Sequence, residues 1–322
     1  MRLIDLNSLD VYFNLAAEAY FLHQTTESVL ILWRSEKAVV CGKHQNICAE
    51  INVDYCKLNG IAPARRISGG GTVFHDLGNV NFTFIQPIGD SLDKAVDYKQ
   101  FLEPVRKVLR GMGVETSYSL RHDLLFGEDK ISGNAQHIYQ QGRRVLHHGT
   151  LLFNANLNAL GGTLHAKGTY IDKAVKSNRS TVTNLGEHFP KYTDMESVLA
   201  DLRAGFEVLY GTKFGGLPNE EQEIIDQLRS SKFAHESWIF GYSPSFSATK
   251  QISTPDLGEI NWTWNIQKGL VESVMVQHQH TLELLLQNEC SMMIGKPYYG
   301  EEIRSLLSSY SLFDNKFYYQ LF

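Results

Sequence analysis

The chain has 322 residues, enough for one large domain or for a large and a small one. Hydrophobic residues make up 43% and charged residues 20%, the balance of a globular protein with a sizeable core, and a formal charge of −5 excludes the basic footprint of a nucleic-acid binder. Two local pairs, Arg65-Arg66 and Arg143-Arg144, remain as places where an acidic partner could meet the surface.

No run reaches the ~18 apolar residues of a membrane span. The opening residues meet Asp5 and Asp10 without an apolar stretch, so no signal peptide is expected and the compartment reads as cytoplasmic. Of Cys41, Cys48, Cys56 and Cys290, none forms a Cys-x-x-Cys pair, so no zinc site is expected, and Cys41, Cys48 and Cys56 read as small buried apolar groups.

In chain order, Asp10 can cap a helix running to about Gln24, with Leu15, Ala19 and Leu22 on one face. Apolar strands are expected over 29–33 and 38–41. Val80, Phe82 and Phe84 alternate with Asn81 and Thr83, the period of a half-buried strand. Helical period returns at 98–112 through Phe101, Val105, Val108 and Met112, stopped by Gly111 and Gly113. A strand-rich block spans 123–153, broken by a turn at Gly127-Glu128-Asp129. Thr193-Asp-Met-Glu196 reads as a capping box opening a helix through Leu199, Leu202, Phe206 and Leu209, ended by Gly211.

Composition shifts over 241–255, where Gly and Pro interrupt any regular element. Strands follow at 260–264 and 271–276, then amphipathic helices near 281–289 and 300–310. These signals divide the chain into a domain of residues 1–245 and a smaller α+β unit of residues 246–322. Strands mixed with helices, without regular βαβ alternation, make the fold class α+β with a mixed sheet. His278 and His280 would face the same way on a strand, a metal-like spacing without an evident third ligand.

Four stretches carry chemistry. In Ser68-Gly69-Gly70-Gly71 the glycines let the backbone approach a ligand and allow positive φ, so that N–H groups can converge on one anion. Arg66, just before, supplies a planar charged fork for phosphate or carboxylate. The glycine run alone is equally a flexible loop, but the strand after it clamps it between ordered elements. Lys130-Ile-Ser-Gly-Asn-Ala-Gln136 places a lysine directly after a tight turn, where it is either a solvated turn residue or projects into a cleft. His147-His-Gly-Thr150 lies on a strand, so its two histidines point to opposite faces and at most one lines a given pocket. The fourth, 176–185, is a polar segment before the capped helix.

These stretches, with Tyr12-Phe-Asn-Leu-Ala-Ala-Glu18, Gly42-Lys-His-Gln-Asn46 and the 179–185 segment, resemble the lipoate–protein ligase A family over residues 10–210. Trp238-Ile-Phe-Gly-Tyr-Ser-Pro-Ser-Phe246 resembles that family's entrance to a C-terminal accessory domain. His122, Asn178 and Thr181 depart from the family pattern, standing where Asn, Val and Arg are usual.

The resemblance implies a mixed-sheet catalytic domain related to biotin–protein ligases with a small C-terminal α+β accessory domain. Its chemistry would be activation of lipoate by ATP to lipoyl-AMP, then transfer to a lysine ε-amine. The partners implied are lipoate and the lipoyl-acceptor domains of 2-oxoacid dehydrogenase E2 subunits and glycine cleavage H protein, met by a monomer, with Mg²⁺ accompanying ATP. Carried over by position, Arg66, Ser68, Gly69, Gly70, Gly71, Thr72, Val73, Phe74, Asn81, Asp123 and Lys130 would bind ATP and lipoyl-AMP. Arg66, Lys130, Gly133, Ala135, His148, Gly149 and Thr150 would bind lipoate, with Lys130 catalytic. Val80 and Phe82 could wall the acyl slot. The rival readings are a biotin–protein ligase, a lipoyl or octanoyl transferase working through an acyl-cysteine without ATP, and a lipoate-binding module without turnover.

Overall fold

Strand β6 (Asn79–Pro87) is the seam of the molecule. In a computed structural model, which describes residues 1–88, 97–164, 166, 169–178, 180–254, 258–278 and 291–299, it lies inside a six-stranded sheet. The order is β10 (Asn134–Tyr139), β11 (Arg144–Leu152), β6, β2 (Val29–Trp33), β1 (Arg2–Leu6) and β13 (Phe214–Gly215). Pairs β10–β11, β11–β6 and β2–β6 are antiparallel, whereas β1–β2 and β1–β13 are parallel, so the sheet is mixed as its strand pattern predicts.

The alternation in β6 misleads in one respect. It predicts one wet face, yet the strand is buried from Asn79 through Ile85. Val80, Phe82 and Phe84 pack with Phe101, Leu102, Val105, Leu202 and Phe206 from the helices Tyr98–Gly111 and Met195–Tyr210. A buried aromatic of this kind contributes about 1.5–3 kcal/mol. The polar residues Asn81 and Thr83 face the other side, under α1 (Val11–Gln24), and are covered there too. Val80 and Phe82 are therefore core residues and do not wall an acyl slot.

Helix α1 starts at Asp10, whose Oδ1 accepts from Tyr12 N at 2.7 Å. Beyond it lies a three-stranded layer, β4 (Ala62–Arg65), β3 (Ala38–Cys41) and β5 (Val73–His75). Alternation sends Ala38 and Val40 toward α1, and Val39 and Cys41 into a second core with Phe74, Trp262 and Trp264. The tryptophans belong to a four-stranded antiparallel sheet of β12 (Thr169–Asp172), β14 (Phe246–Thr254), β15 (Gly258–Gln267) and β16 (Leu270–His278). Strand β12 pairs with β14, so the sheet following residue 245 takes one strand from before it. A small sheet of β7 (Ser117–Tyr118), β8 (Leu124–Phe126) and β9 (Asp129–Ser132) flanks the large one, its hairpin turning at Gly127.

Two local expectations change. The helix Met195–Tyr210 is capped by Asp194, which accepts from Glu196 N and Ser197 N, while the Thr193 hydroxyl donates to Pro190 O instead. Gly211, at φ +66°, ends that helix as its pattern requires. The basic pairs offer no surface patch, because Arg65, Arg66 and Arg144 are all buried. The predicted helices near 281–289 and 300–310, His280 and Cys290 lie outside the described residues. Among the described residues no helix is long and apolar enough to cross a membrane.

Candidate functional site

The glycine loop is held from beneath by its own arginine. Arg66 Nη2 donates to Gly69 O and Gly71 O at 2.7 Å each, Nη1 to Val40 O at 3.0 Å, and Nε to Ser68 Oγ at 2.9 Å. Burial pushes its pKa down to about 10, which still leaves it charged at neutral pH. Gly70 sits at φ +92°, and a Cβ there would fall 2.9 Å from Arg66 Nη2. Gly42 approaches so closely that a Cβ would meet Gly70 O at 2.1 Å. The fork is thus spent on shaping the loop.

A buried relay runs on from the arginine. Ser68 Oγ lies 2.7 Å from His148 Nε2, and His148 Nδ1 lies 3.0 Å from both carboxylate oxygens of Glu18. The Glu18 carboxylate can only accept, so an imidazole proton sits on Nδ1 facing it, while Ser68 Oγ accepts from Arg66 Nε and stands between His148 Nε2 and Gly69 O, the latter at 3.4 Å. Thr83 Oγ1 donates to the same carboxylate at 2.6 Å. These bonds explain why Thr83 is polar on a buried face. His147, one residue earlier on β11, points to the opposite core and stacks on Phe101 with centroids 4.9 Å apart.

On the far side Lys130 opens toward the same space. Its ammonium lies 3.0 Å from Asp123 Oδ1, and its backbone is pinned by Lys130 N to Thr181 O and Thr183 N to Lys130 O, 3.1 Å each. Gly133 N donates to Thr150 Oγ1 at 3.2 Å. Over the loop lies Ser177, whose Oγ accepts from Thr72 N at 2.8 Å and from Gln45 Nε2 at 3.0 Å. Gln45 Oε1 accepts in turn from Gly42 N and Thr72 Oγ1.

Together these segments enclose a cavity of about 270 Å³. Arg66, Gly70, Gly71, Thr72, Val73, Asn81, Asp123, Lys130, Gly133, Ala135, His148, Gly149 and Thr150 all line it. Three expected residues do not. Ser68 is fully buried behind the loop, Gly69 carbonyl faces Arg66, and Phe74 points into the second core. The wall also includes Leu15, Trp33, Val40 and Arg121, which sequence reasoning did not single out for the site, and His75 and Ser177, which it met only as members of longer stretches. Glu18 was quoted only within a motif, although a carboxylate set among Ala16, Ala17 and Ala19 was a usable signal.

The cavity is graded. Leu15, Trp33, Val40, His75 and Asn81 form a closed end, all nearly inaccessible, whereas Gly70, Arg121, Lys176 and Asn178 are exposed at the mouth. Among the described residues the lining holds Arg66, Arg121, Lys130 and Lys176 against one carboxylate, Asp123. Such a balance suits a polyanion at the mouth and an apolar chain within. Among the described residues no group of three or more His, Cys, Asp or Glu is arranged to hold a metal ion.

The profile of the lipoyl protein ligase A/B catalytic domain matches residues 10–207. The chain is 31% identical over 321 residues to lipoate-protein ligase LplJ of Bacillus subtilis, a match covering 97% of this chain and 95% of the relative. A crystal structure of lipoate-protein ligase A bound with ATP aligns at TM-score 0.63 and 25% identity, over 75% of this chain and 98% of that one. The P. falciparum LipL1 structure in complex with lipoate, at 20% identity, shares the fold at TM-score 0.63 over 99% of this chain and 97% of its own.

Proposed function

The chain belongs to the lipoyl protein ligase A/B catalytic-domain family, and from that premise we propose that it is an ATP-dependent, AMP-forming lipoate–protein ligase. A carboxylate oxygen of lipoate attacks the α-phosphorus of ATP, the bond to the bridging oxygen breaks, and pyrophosphate leaves. The ε-amine of an acceptor lysine then attacks the acyl carbon of lipoyl-AMP. The carbon–oxygen bond to phosphate breaks, AMP leaves, and the amine proton passes to solvent. The acceptors are lipoyl domains of E2 subunits and the glycine cleavage H protein. Residues 1–245 carry both steps in a cytoplasmic monomer, and residues 246–322 serve as its accessory domain.

One observation carries this reading. Three stretches far apart in sequence, Gly70–Thr72, Lys130 and His148–Thr150, line one cavity whose mouth is cationic and whose inner end carries no charged side chain. Lys130 supplies the main charge stabilisation as negative charge grows on the α-phosphate, bridging it to the acyl oxygen. The loop supplies backbone N–H groups; that of Thr72 exchanges Ser177 Oγ for a phosphate oxygen when nucleotide binds. Arg66, Ser68 and Gly69 act from behind, keeping that loop in shape. Gly133, Ala135, His148, Gly149 and Thr150 flank the acyl chain, Asp123 completes the nucleotide side, and Asn81, expected on that side from the sequence, stands instead with Trp33 at the closed end.

Mg²⁺ fits only as the companion of the nucleotide. Asp123 is the one carboxylate on the described wall and is already paired with Lys130, and this ion is usually held by one or two carboxylates plus substrate phosphates.

The acyl-cysteine alternative finds no support in the described thiols. Cys41, Cys48 and Cys56 are buried and absent from the cavity lining, and burial raises the Cys41 thiol to about 11. The decisive experiment is mass spectrometry of an apo lipoyl domain incubated with this protein, lipoate, ATP and Mg²⁺. A lipoyl mass gain on one lysine, with equivalent pyrophosphate release, is the expected result. A gain that needs no ATP would overturn it.

A further inference from the structure

We propose that His75 reads the buried end of the acyl substrate, favouring a chain that ends in a cyclic disulfide over a hydrocarbon chain of the same length. The inference rests on the ligase reading and names the residue that sets acyl preference within it.

Strand β5 alternates, so Val73 and His75 face the cavity and Phe74 faces the second core. His75 lies at the closed end, 4% exposed, its ring edge-on to Trp33 with centroids 5.4 Å apart. Neither ring nitrogen has a hydrogen-bond partner among the described residues. This sets it apart from the other polar groups there. His148 uses both nitrogens, on Glu18 and Ser68, and the Trp33 indole N–H donates to Thr83 Oγ1 at 3.3 Å.

Burial, reinforced by the charge of Arg66 and the proximity of His148, pushes the His75 pKa down to about 3. The ring is neutral at physiological pH and presents one N–H donor and one lone pair. A buried polar group without a partner is unfavourable, and a ligand that supplies one gains accordingly.

The carboxylate of the acyl substrate is required at the cationic mouth, beside Lys130 and the glycine loop. Its other end then lies among Leu15, Trp33, Val40 and His75. A saturated hydrocarbon leaves the imidazole N–H unpaired. A disulfide sulfur is polarisable, accepts a weak hydrogen bond and contacts aromatic edges favourably. The preference should be modest, on the order of ten-fold, because sulfur is a weak acceptor.

The test compares lipoate with octanoate in pyrophosphate release by the full chain with ATP and Mg²⁺. The wild type should prefer lipoate by about ten-fold in kcat/KM, expressed in KM. His75→Leu should erase that preference by raising KM for lipoate about ten-fold more than KM for octanoate, and His75→Gln, which keeps a donor and an acceptor, should retain part of it. Imidazole ¹⁵N NMR of the wild type gives an answer independent of how well variants fold: the His75 resonances should shift with lipoate and not with octanoate. Equal use of the two acids by the wild type, a lipoate preference that survives His75→Leu, or identical His75 shifts with both acids would overturn the inference and leave the ligase reading standing. Failure of the wild type to turn over either acid would overturn both.

Discussion

The Lys130 ammonium and the Asp123 carboxylate meet at 3.0 Å on the cavity wall, and Gly133 leaves the room that lets the lysine fold there. A Cβ at Gly133 would stand 3.2 Å from both Cε and Nζ of Lys130. The pair is partly exposed, with side-chain accessibilities of 24% and 13%, so as an ion pair it contributes little stability. Its consequence is positional, because Asp123 holds the ammonium on the wall of the cavity that the glycine loop also lines.

Lys130→Ala should therefore leave folding nearly unchanged and lower pyrophosphate release by about 10²–10³-fold or more. Circular dichroism and a pyrophosphate assay on the same preparation check both halves. A folded variant with undiminished release would refute the role of Lys130.

Gly70→Val should raise KM for ATP and lower kcat together. At φ +92° any L-residue is strained, and the new Cβ meets the Arg66 fork at 2.9 Å. Loop and fork would shift at once, so both parameters should move. Steady-state kinetics identical to wild type would show that this loop does not cradle phosphate.

Much of this architecture is legible in the sequence because it is local. The strands Val29–Trp33 and Ala38–Cys41 follow apolar runs, the helix Tyr98–Gly111 follows its 3.6-residue period, and the glycine loop announces itself by composition. What escapes is burial that depends on a second layer. Asn81 and Thr83 look like a wet face, but α1 brings Glu18 over them, and the polar side chains serve a buried relay. Arg65-Arg66 likewise looks like a basic patch, although each guanidinium is consumed by backbone carbonyls. The sequence assigns His75 and Ser177 no role of their own, since only tertiary packing brings them to the cavity, His75 against Trp33 and Ser177 against Gln45 and Thr72.

Stability should fall with acidity before the carboxylates titrate. Burial lowers the His75 pKa from 6.5 to about 3 and that of His147 well below its usual value. Between about 6.5 and 3 the unfolded chain binds a proton at His75 that the native chain does not, and His147 acts in the same direction below about 6.5. The stabilising contribution is therefore complete above pH 6.5 and is lost as pH drops, by about 1.4 kcal/mol per pH unit for His75, with His147 adding to the loss. Urea unfolding at pH 7, 6 and 5 should show this slope, and replacing both histidines with phenylalanine should flatten it. An unaltered slope in the double variant would mean that neither ring is buried neutral.

The described thiols should be inert in the native enzyme. Burial raises Cys41 to about 11, Cys56 to about 12, and Cys48 well above its ordinary value, so thiolate at pH 7 is scarce at all three. Thiol titration of native protein should detect no more than one reactive group, with three or more appearing on unfolding. Ligation should survive replacement of all four cysteines in a variant shown to fold. A hydroxylamine-sensitive acyl adduct, lost together with activity when one cysteine is changed, would move the protein to the transferase class.

Arg65 should couple stability to nucleotide affinity. It is fully buried, and burial lowers its pKa. Its Nη1 donates to Gly42 O, Lys43 O and Gln45 O, its Nε to Trp238 O and Ile239 O, and its Nη2 to Ser243 Oγ at 2.8 Å. The Trp238 indole N–H returns a bond to Arg65 O at 2.8 Å. One side chain thus ties the 42–45 turn to the 238–243 segment, and that turn carries Gln45, which holds Thr72 and Ser177 over the glycine loop. Arg65→Met keeps the apolar bulk but strands several buried carbonyls, at a cost of about 3 kcal/mol or more. Arg65→Lys keeps the charge but not the fork, and should recover only part of it. Because the strain reaches the loop through Gln45, both variants should raise KM for ATP even at temperatures where they remain folded. Differential scanning calorimetry with ATP titration separates the two effects. A variant that is destabilised yet binds ATP as wild type would confine Arg65 to a structural pin without influence on the site.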